Sequence, residues 1–183
     1  RVWKAWFFLS VVVTLTIAFA VFVNQYIALT IALALAWLKA YRNNVYAHNF
    51  SELFIYGGFA GIFVPVLSIL SISILLILIG IYDAIAVWKT KHMIKLAKFQ
   101  AEAKVFAGLL LPYGDKKKNM AILGGGDVGF PLLFSGVVLV NYGWLQALIV
   151  TLFVSIALLW LLLASEKNKF YPAMPFIAAG CFI

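Results

Sequence analysis

The sequence predicts an all-α, polytopic membrane protein, on the evidence of its composition and of the way its apolar residues are grouped. Of the 183 residues, 66% are hydrophobic and 11% are charged, and the mean hydropathy is +1.07. Soluble domains contain roughly 45–50% apolar and about 25% charged residues. The apolar residues form long runs between short charged stretches, which indicates helices, since a β-barrel would alternate apolar and polar positions over ~10 residues.

Seven apolar runs are candidate membrane spans. They cover residues 3–23, 26–38, 53–64, 66–88, 120–140, 144–163 and 172–183. Crossing the hydrocarbon takes about 20 helical residues, so several of these runs are short. Only Asn24 and Gln25 separate the first two runs, and Pro65 alone interrupts the stretch 53–88. Because a chain reversal usually needs a longer connection, we expect residues to be missing at these two places.

Basic residues cluster between the runs and account for the net charge of +8. If each span crosses once, all the clusters fall on one side, which the positive-inside rule makes cytoplasmic. We therefore expect N-terminal transmembrane helices over 1–88, a basic cytoplasmic connector over 89–119 and C-terminal transmembrane helices over 120–183. The positive charge is then expected to orient the protein in the membrane rather than to bind nucleic acid. Contact with anionic lipid is the alternative role for the lysines of the connector.

Two of the six acidic residues lie inside apolar runs. Asp83 comes six residues before Lys89, and Asp127 comes nine residues after Lys118. At 1.5 Å per helical residue, these spacings are ~9 and ~13 Å, so the two carboxylates are expected at a similar depth. An aspartate at mid-membrane costs about 2.5–3.5 kcal/mol and by default marks function. The other four acidic residues lie in or beside connecting segments and are expected to be solvated: Glu52, Glu102, Asp115 and Glu166.

The aspartate pair leaves three roles open when it is considered without its neighbours. Two carboxylates close together cannot both ionise, so they share a proton, and such a pair can hydrolyse peptides with neither metal nor covalent intermediate. An ion or proton pathway and a purely structural role explain the same residues. Cys181 is the single cysteine, and His48 and His92 form no metal-ligand constellation, so we expect no metal and no cofactor.

Glycines precede the second aspartate. Gly124, Gly126 and Gly129 satisfy the dinucleotide-binding pattern G-x-G-x-x-G, but a membrane run is not the strand–turn–helix context which that pattern requires. In a membrane helix, glycines allow close packing or loosen the helix. Both effects would let an extended peptide approach Asp127, and helix packing alone is the alternative explanation.

Three motifs in this order resemble those of the GxGD intramembrane aspartyl proteases, the presenilin and signal peptide peptidase family. They are Tyr82-Asp83, Gly124-Gly125-Gly126-Asp127 and Pro172-Ala173-Met174. The stretch GIYDAIAV is similar to the presenilin form, whereas GGGDVGFPLLF is more similar to signal peptide peptidase. This mixture is typical of a microbial, archaeal homologue. The resemblance covers about residues 79–175.

The resemblance implies a presenilin-like bundle of nine membrane helices, of which about seven are recognisable here. It implies that Asp83 and Asp127 are the catalytic pair and that the sites around them are shaped by Tyr82 and the glycines. Pro172, Ala173 and Met174 occupy the place of the family's Pro-Ala-Leu motif, which helps to recognise substrate. Met174 departs from that motif, although methionine and leucine are similar in volume and apolarity.

The predicted function is therefore intramembrane proteolysis of transmembrane segments or signal peptides. The predicted partners are transmembrane peptide substrates and the lipid bilayer, with homo-oligomerisation left open. The protein is expected to be multi-pass, in the plasma membrane if it is prokaryotic. An ion- or proton-coupled transporter that uses the same aspartates is the main alternative, followed by a prepilin peptidase and by a purely structural role.

Overall fold

The structure is a computed structural model that describes residues 2–41, 45–90, 108–113, 119–164 and 171–183. These residues form seven α-helices and one two-stranded sheet. In chain order the elements are α1 (Val2–Ala20), α2 (Gln25–Tyr41), α3 (Val45–Phe63), α4 (Ile69–Ile85), β1 (Gly108–Tyr113), β2 (Asn119–Gly124), α5 (Gly125–Tyr142), α6 (Trp144–Ala164) and α7 (Met174–Cys181). The predicted all-α class is confirmed, with a short hairpin in addition.

The chain divides into two compact units, which are described separately. The first comprises Arg1–Ile62 and Ala103–Val128, and the second comprises Phe63–Glu102 and Gly129–Ile183. Helix α5 begins in the first unit and continues in the second. The predicted boundaries at residues 88 and 119 stay a prediction, and Glu102, Asp115 and Glu166 lie outside the described residues.

In the first unit, α1 and α2 pack as a pair whose core contains Val11, Val12, Leu15, Ala32 and Ala36. The small alanines of α2 let the two helices approach closely.

A tight turn joins these two helices. The N–H groups of Phe22 and Val23 donate to the Phe19 carbonyl at 2.9 and 3.0 Å. Asn24 Oδ1 accepts the N–H of Tyr26 at 3.0 Å, and the Asn24 carbonyl accepts the first helical hydrogen bond of α2. The turn therefore uses apolar residues at the end of the first run as well as the polar pair.

The second short connection, between α3 and α4, consists of residues 64–68. The N–H groups of Val66 and Leu67 donate to the Phe63 carbonyl, and Ser68 caps α4 by accepting the N–H of Ser71 at 3.2 Å. Both connections are made by residues that are present. The expectation of missing residues at these two places stays a prediction.

The hairpin corrects the predicted helical run 120–140. Strands β1 and β2 are antiparallel, with Gly108 opposite Gly124 and Leu110 opposite Ile122. Helix α5 begins only at Gly125, directly after β2. Residues 119–124 therefore rise as a strand, at about 3.3 Å each rather than 1.5 Å. The depth estimate for Asp127, which assumed a helix from Lys118, is wrong for this reason.

Helix α3 holds the outer edge of β1 through two consecutive side chains. Asn49 accepts the N–H of Leu110 at 2.9 Å and donates its side-chain N–H to the Leu110 carbonyl at 2.8 Å. His48 Nε2 lies 2.9 Å from the Gly108 carbonyl oxygen. The side-chain amide of Asn49 thus pairs with β1 as a neighbouring strand would.

In the second unit, the buried face of α4 contains Ile72, Leu76, Gly80 and Asp83. This face packs against α7, which also packs against α6. A Cβ atom placed on Gly180 of α7 would lie only 3.1 Å from the Phe153 carbonyl oxygen of α6, so glycine permits this close approach.

Two helical stretches among the described residues are long and apolar enough to cross a membrane, namely Ile69–Lys89 and Trp144–Ala164. They match the predicted spans 66–88 and 144–163. The apolar parts of α1 and α2 are shorter, Ala5–Ala20 and Gln25–Lys39. Helix α7 has only eight residues, so the predicted run 172–183 is not a full-length helix.

Candidate active site

Asp83 and the Pro-Ala-Met motif meet in the second unit. The backbone N–H of Met174 donates a hydrogen bond of 3.1 Å to Asp83 Oδ2, and the backbone of Ala173 provides a further hydrogen bond. The Asp83 residue is 6% exposed. The structure thus brings together two of the three predicted motifs.

Gly80 of α4 and Pro175 of α7 allow the two helices to approach closely beside Asp83. Gly80 lies one helical turn before Asp83 on the same face of α4. A Cβ atom on Gly80 would lie 3.7 Å from Pro175 Cα, which is ordinary van der Waals contact. Pro175 stands in the first turn of α7, where the missing N–H of proline costs nothing.

The beginning of α7 provides a polar environment for the Asp83 carboxylate. The first N–H groups of a helix have no partner within the helix and carry the positive end of its dipole. They stabilise an ionised carboxylate, whereas burial opposes ionisation. Three residues after Asp83, at the end of α4, the chain widens into a π-helical turn over Ala86–Thr90, a feature found frequently at functional sites.

The neighbouring Tyr82 points elsewhere. Its side chain is 60% exposed, and successive residues of a helix lie on different faces. Its predicted role in shaping the site stays a prediction.

Asp127 lies in the first turn of α5, in the first unit. A Cβ atom placed on Gly124 would lie 3.0 Å from Asp127 Oδ2 and 3.6 Å from its Cγ. The Asp127 carboxylate therefore folds back over the end of β2, into the space that a larger residue at 124 would need. This contact gives a physical reason for the glycine at the last position of β2.

Pro131 loosens the helix just beyond Asp127. Proline has no N–H, so position 131 cannot donate to the Asp127 carbonyl four residues earlier. Helix α5 thus begins with glycines and has a gap in its hydrogen bonding at the aspartate. Such a turn can adjust to a bound group more readily than a regular one.

A polar stripe on α3, which we define as His48, Glu52 and Tyr56, was missed by the sequence interpretation. Glu52 was expected to be solvated, and this expectation is wrong, because the residue is 1% exposed and its Oε1 forms an ion pair with Lys39. Tyr56, one turn further along α3, is 7% exposed. The spacing of four residues, visible in the sequence, was the available signal.

His48 begins the polar stripe before the apolar part of α3. Burial lowers the pKa of His48 and so does the neighbouring Lys39 charge, whereas the Gly108 carbonyl and Glu52 act in the opposite direction. Since the Gly108 carbonyl can only accept, Nε2 of His48 carries the proton of that hydrogen bond.

Comparison with known proteins identifies the family of this chain. A family model described as signal-peptide peptidase, presenilin aspartyl protease, matches residues 2–183. The chain belongs to this family. Neither the curated proteins nor the solved structures give a match.

Membership of the signal-peptide peptidase and presenilin family confirms the resemblance carried by the three motifs. It places the chain among membrane-embedded aspartyl proteases with an all-α, presenilin-like fold. The match extends over both units and includes the helices before residue 79, for which the sequence motifs gave no information.

Proposed function

We propose that this protein is an intramembrane aspartyl protease that hydrolyses peptide bonds within transmembrane segments or signal peptides, with Asp83 and Asp127 as its catalytic pair. The observation that carries the proposal is the hydrogen bond from Met174 to Asp83. It joins a buried carboxylate to the motif that family resemblance assigns to substrate recognition. A purely structural aspartate would give no reason for that motif to lie at its carboxylate.

The chemistry requires one ionised and one protonated aspartate. The ionised carboxylate takes a proton from a water molecule, whose oxygen attacks the peptide carbonyl carbon. The protonated carboxyl gives its proton to the carbonyl oxygen, so a neutral tetrahedral intermediate forms. Collapse of this intermediate returns that proton to the pair, while the proton taken from water goes to the leaving nitrogen and the C–N bond breaks. We therefore expect a bell-shaped pH dependence of kcat/KM.

The hairpin offers a means of holding an unwound substrate. Both backbone groups of Leu110 bond to Asn49, so they point away from β2. In an antiparallel ladder, the opposite residue Ile122 then also points its N–H and C=O away from its partner strand. This outer edge of β2 ends three residues before Asp127. An extended substrate segment pairing there would replace the helical hydrogen bonds that it lost on unwinding.

The orientation follows from charge. With the basic clusters on the cytoplasmic side, the 89–119 connector is cytoplasmic and the protein is multi-pass. Met174 conserves the volume and apolarity of the family's leucine, so we expect its effect to be on fine substrate preference rather than on activity.

The test is cleavage of a single-span model peptide by purified protein in detergent. Wild type, Asp83→Asn, Asp127→Asn and, as an acidic control, Asp115→Asn would be compared. We expect product from the wild type and the control, and none from the other two variants. Cleavage by either Asp83→Asn or Asp127→Asn would overturn the proposal. So would an absence of cleavage together with an aspartate-dependent ion flux in liposomes, which would favour a transporter.

A further inference from the structure

The outer edge of β1 is closed at three alternate positions. Leu110 makes two hydrogen bonds with the Asn49 side chain, of 2.9 and 2.8 Å, and the Gly108 carbonyl oxygen lies 2.9 Å from His48 Nε2. Pro112 is the next residue with the same orientation along the strand, and proline has no N–H to offer. A further strand would therefore find the N–H and C=O of Leu110 already bonded and no donor at Pro112.

The same alternation leaves the outer edge of β2 open. In an antiparallel ladder, residues whose backbone groups face outward lie opposite each other. Leu110 is opposite Ile122 and Gly108 is opposite Gly124, so the N–H and C=O of Ile122 and the N–H of Gly124 point away from β1. Among the described residues the sheet has two strands, so no third strand covers this edge. The hairpin thus presents one edge, that of β2, to an incoming extended peptide.

This open edge leads directly to Asp127. Gly124 is the last residue of β2, α5 begins at the next residue, and Asp127 stands in its first turn. A Cβ atom placed on Gly124 would lie 3.0 Å from Asp127 Oδ2, so the carboxylate lies against the end of the strand. A peptide paired with Ile122 and Gly124 would therefore have its register set relative to this carboxylate. The hairpin, Asp127 and the Asn49 side chain all belong to the first unit.

We propose that Asn49 is a positioning residue, which fixes the hairpin on α3 and thereby determines at which peptide bond a substrate paired with β2 is cleaved. The inference rests on the proposed function and deepens it, because it concerns the position of the cut and not the chemistry. A two-stranded hairpin is marginally stable by itself, and strands that contain glycine are prone to slip in register. The side-chain amide of Asn49 provides one donor and one acceptor, as a third strand would, and leaves β2 as the only edge that can pair.

A purely structural role for Asn49 predicts a different result. Loss of a structural contact would lower the unfolding midpoint and the amount of active protein, but the peptide would still be cut at the same bond. Loss of a positioning contact would let the substrate slip. Because side chains alternate between the two faces of a strand, the substrate must slip by two residues to keep the same side chains on each face. The cleavage position therefore separates the two roles.

The experiment determines by mass spectrometry where a single-span model peptide is cut, and measures kcat, KM and the thermal unfolding midpoint. Asn49→Leu, which removes both hydrogen-bonding groups and keeps a similar side-chain volume, is compared with the wild type. We expect additional products cut two residues from the wild-type position, and a fall in kcat of about tenfold or more because the reacting bond is misplaced. Identical cleavage positions in Asn49→Leu and the wild type would overturn the proposal, whatever the change in unfolding midpoint.

Asn49→Asp provides a second test within one folded protein. A protonated carboxyl can accept the N–H of Leu110 and donate to its C=O, whereas an ionised carboxylate can only accept. We expect the displaced products of this variant to increase as the pH rises through the range in which the wild type cleaves. His48 titrates in both proteins, so the wild-type profile accounts for its contribution. The matched control is Asn24→Asp, whose side-chain oxygen accepts the N–H of Tyr26 in either form and which should behave as the wild type. A wild-type pattern of products in Asn49→Asp at every pH would contradict the proposal.

Failure of this inference and failure of the proposed function have different signatures. If Asp127→Asn still cleaved the peptide, the proposed function would fail and the role of Asn49 with it. If Asp127→Asn were inactive while both Asn49 variants cut the peptide only at the wild-type position, the role of Asn49 alone would be refuted.

Discussion

Met174 donates its backbone N–H to the carboxylate of Asp83 at 3.1 Å, although 91 positions separate the two residues. The contact depends on the backbone and not on the methionine side chain. It follows that the motif can vary at its third position while the support for the aspartate is retained. The direction of α7, which points its first N–H groups at Asp83, is the feature that must be preserved.

Asparagine at position 83 should separate stability from chemistry. The amide oxygen of Asp83→Asn can still accept the N–H of Met174, so we expect the thermal midpoint in detergent to stay close to that of the wild type while peptide cleavage is lost. Asp83→Leu removes the acceptor and leaves a buried N–H unpaired, at a cost of about 1–3 kcal/mol. Equal stability of Asp83→Leu and Asp83→Asn would show that the hydrogen bond is unimportant for folding.

A methyl group at position 124 should disturb Asp127. The Cβ atom of Gly124→Ala would lie 3.0 Å from Asp127 Oδ2, so the carboxylate must move. We expect kcat to fall at least tenfold (~1.4 kcal/mol) without a matching loss of stability. The matched control is Gly57→Ala, at which the added Cβ meets nothing within 4 Å. Peptide-cleavage kinetics that are the same for both variants would contradict the prediction.

Removing only one charge of the Lys39–Glu52 ion pair should destabilise the protein more than removing both charges. Lys39→Met leaves the Glu52 carboxylate buried and unpaired, which typically costs about 3–5 kcal/mol. The double variant Lys39→Met/Glu52→Gln leaves no buried charge at this pair and should be more stable than Lys39→Met alone. Unfolding free energies measured in mixtures of denaturing and mild detergent would test this order. A double variant less stable than the single one would refute it.

His48 should make the stability depend on pH. Its pKa is lowered by burial and by the Lys39 charge, below the value of about 6.5 expected in the unfolded chain. The contribution of neutral His48 is therefore complete above pH 6.5 and is lost as the pH falls toward the lower folded-state pKa.

The measurement for this prediction compares the wild type with His48→Gln, which keeps an N–H donor for the Gly108 carbonyl but does not titrate. The unfolding free energy of the wild type should fall relative to that of the variant between about pH 6.5 and pH 5. A constant difference over this range would show that the ionisation of His48 is not coupled to folding.

The membrane class and the long spans could be predicted from the sequence, because composition determines the class. The family resemblance linked the Pro-Ala-Met motif to substrate recognition, but the hydrogen bond between Met174 and Asp83 is known only from the structure. The hairpin could not be predicted in the same way. GLLLPY and NMAILG are six-residue apolar runs, and periodicity does not separate strand from helix at this length.

What distinguishes these strands is a contact that is distant in the sequence. Asn49 accepts a hydrogen bond from Leu110, 61 positions further along the chain, and no local sequence pattern predicts this contact. Glu52 was misplaced for a related reason. A glutamate near basic residues is most often solvated. Here Lys39 of α2 and Glu52 of α3 form a buried ion pair, and this contact between two helices cannot be recognised from either stretch of sequence alone.

The helices differ in length by an amount that a lipid bilayer must accommodate. Helix α6 has 21 residues, or ~31 Å, which matches a hydrocarbon core of roughly 30 Å. Helices α1 and α2 have 19 and 17 residues, or ~28 and ~26 Å. In their predicted role as membrane spans, they would be shorter than α6 by a few ångströms, and such a mismatch costs fractions of a kcal/mol per ångström. Short-chain lipids are therefore expected to favour the α1–α2 pair and long-chain lipids to strain it.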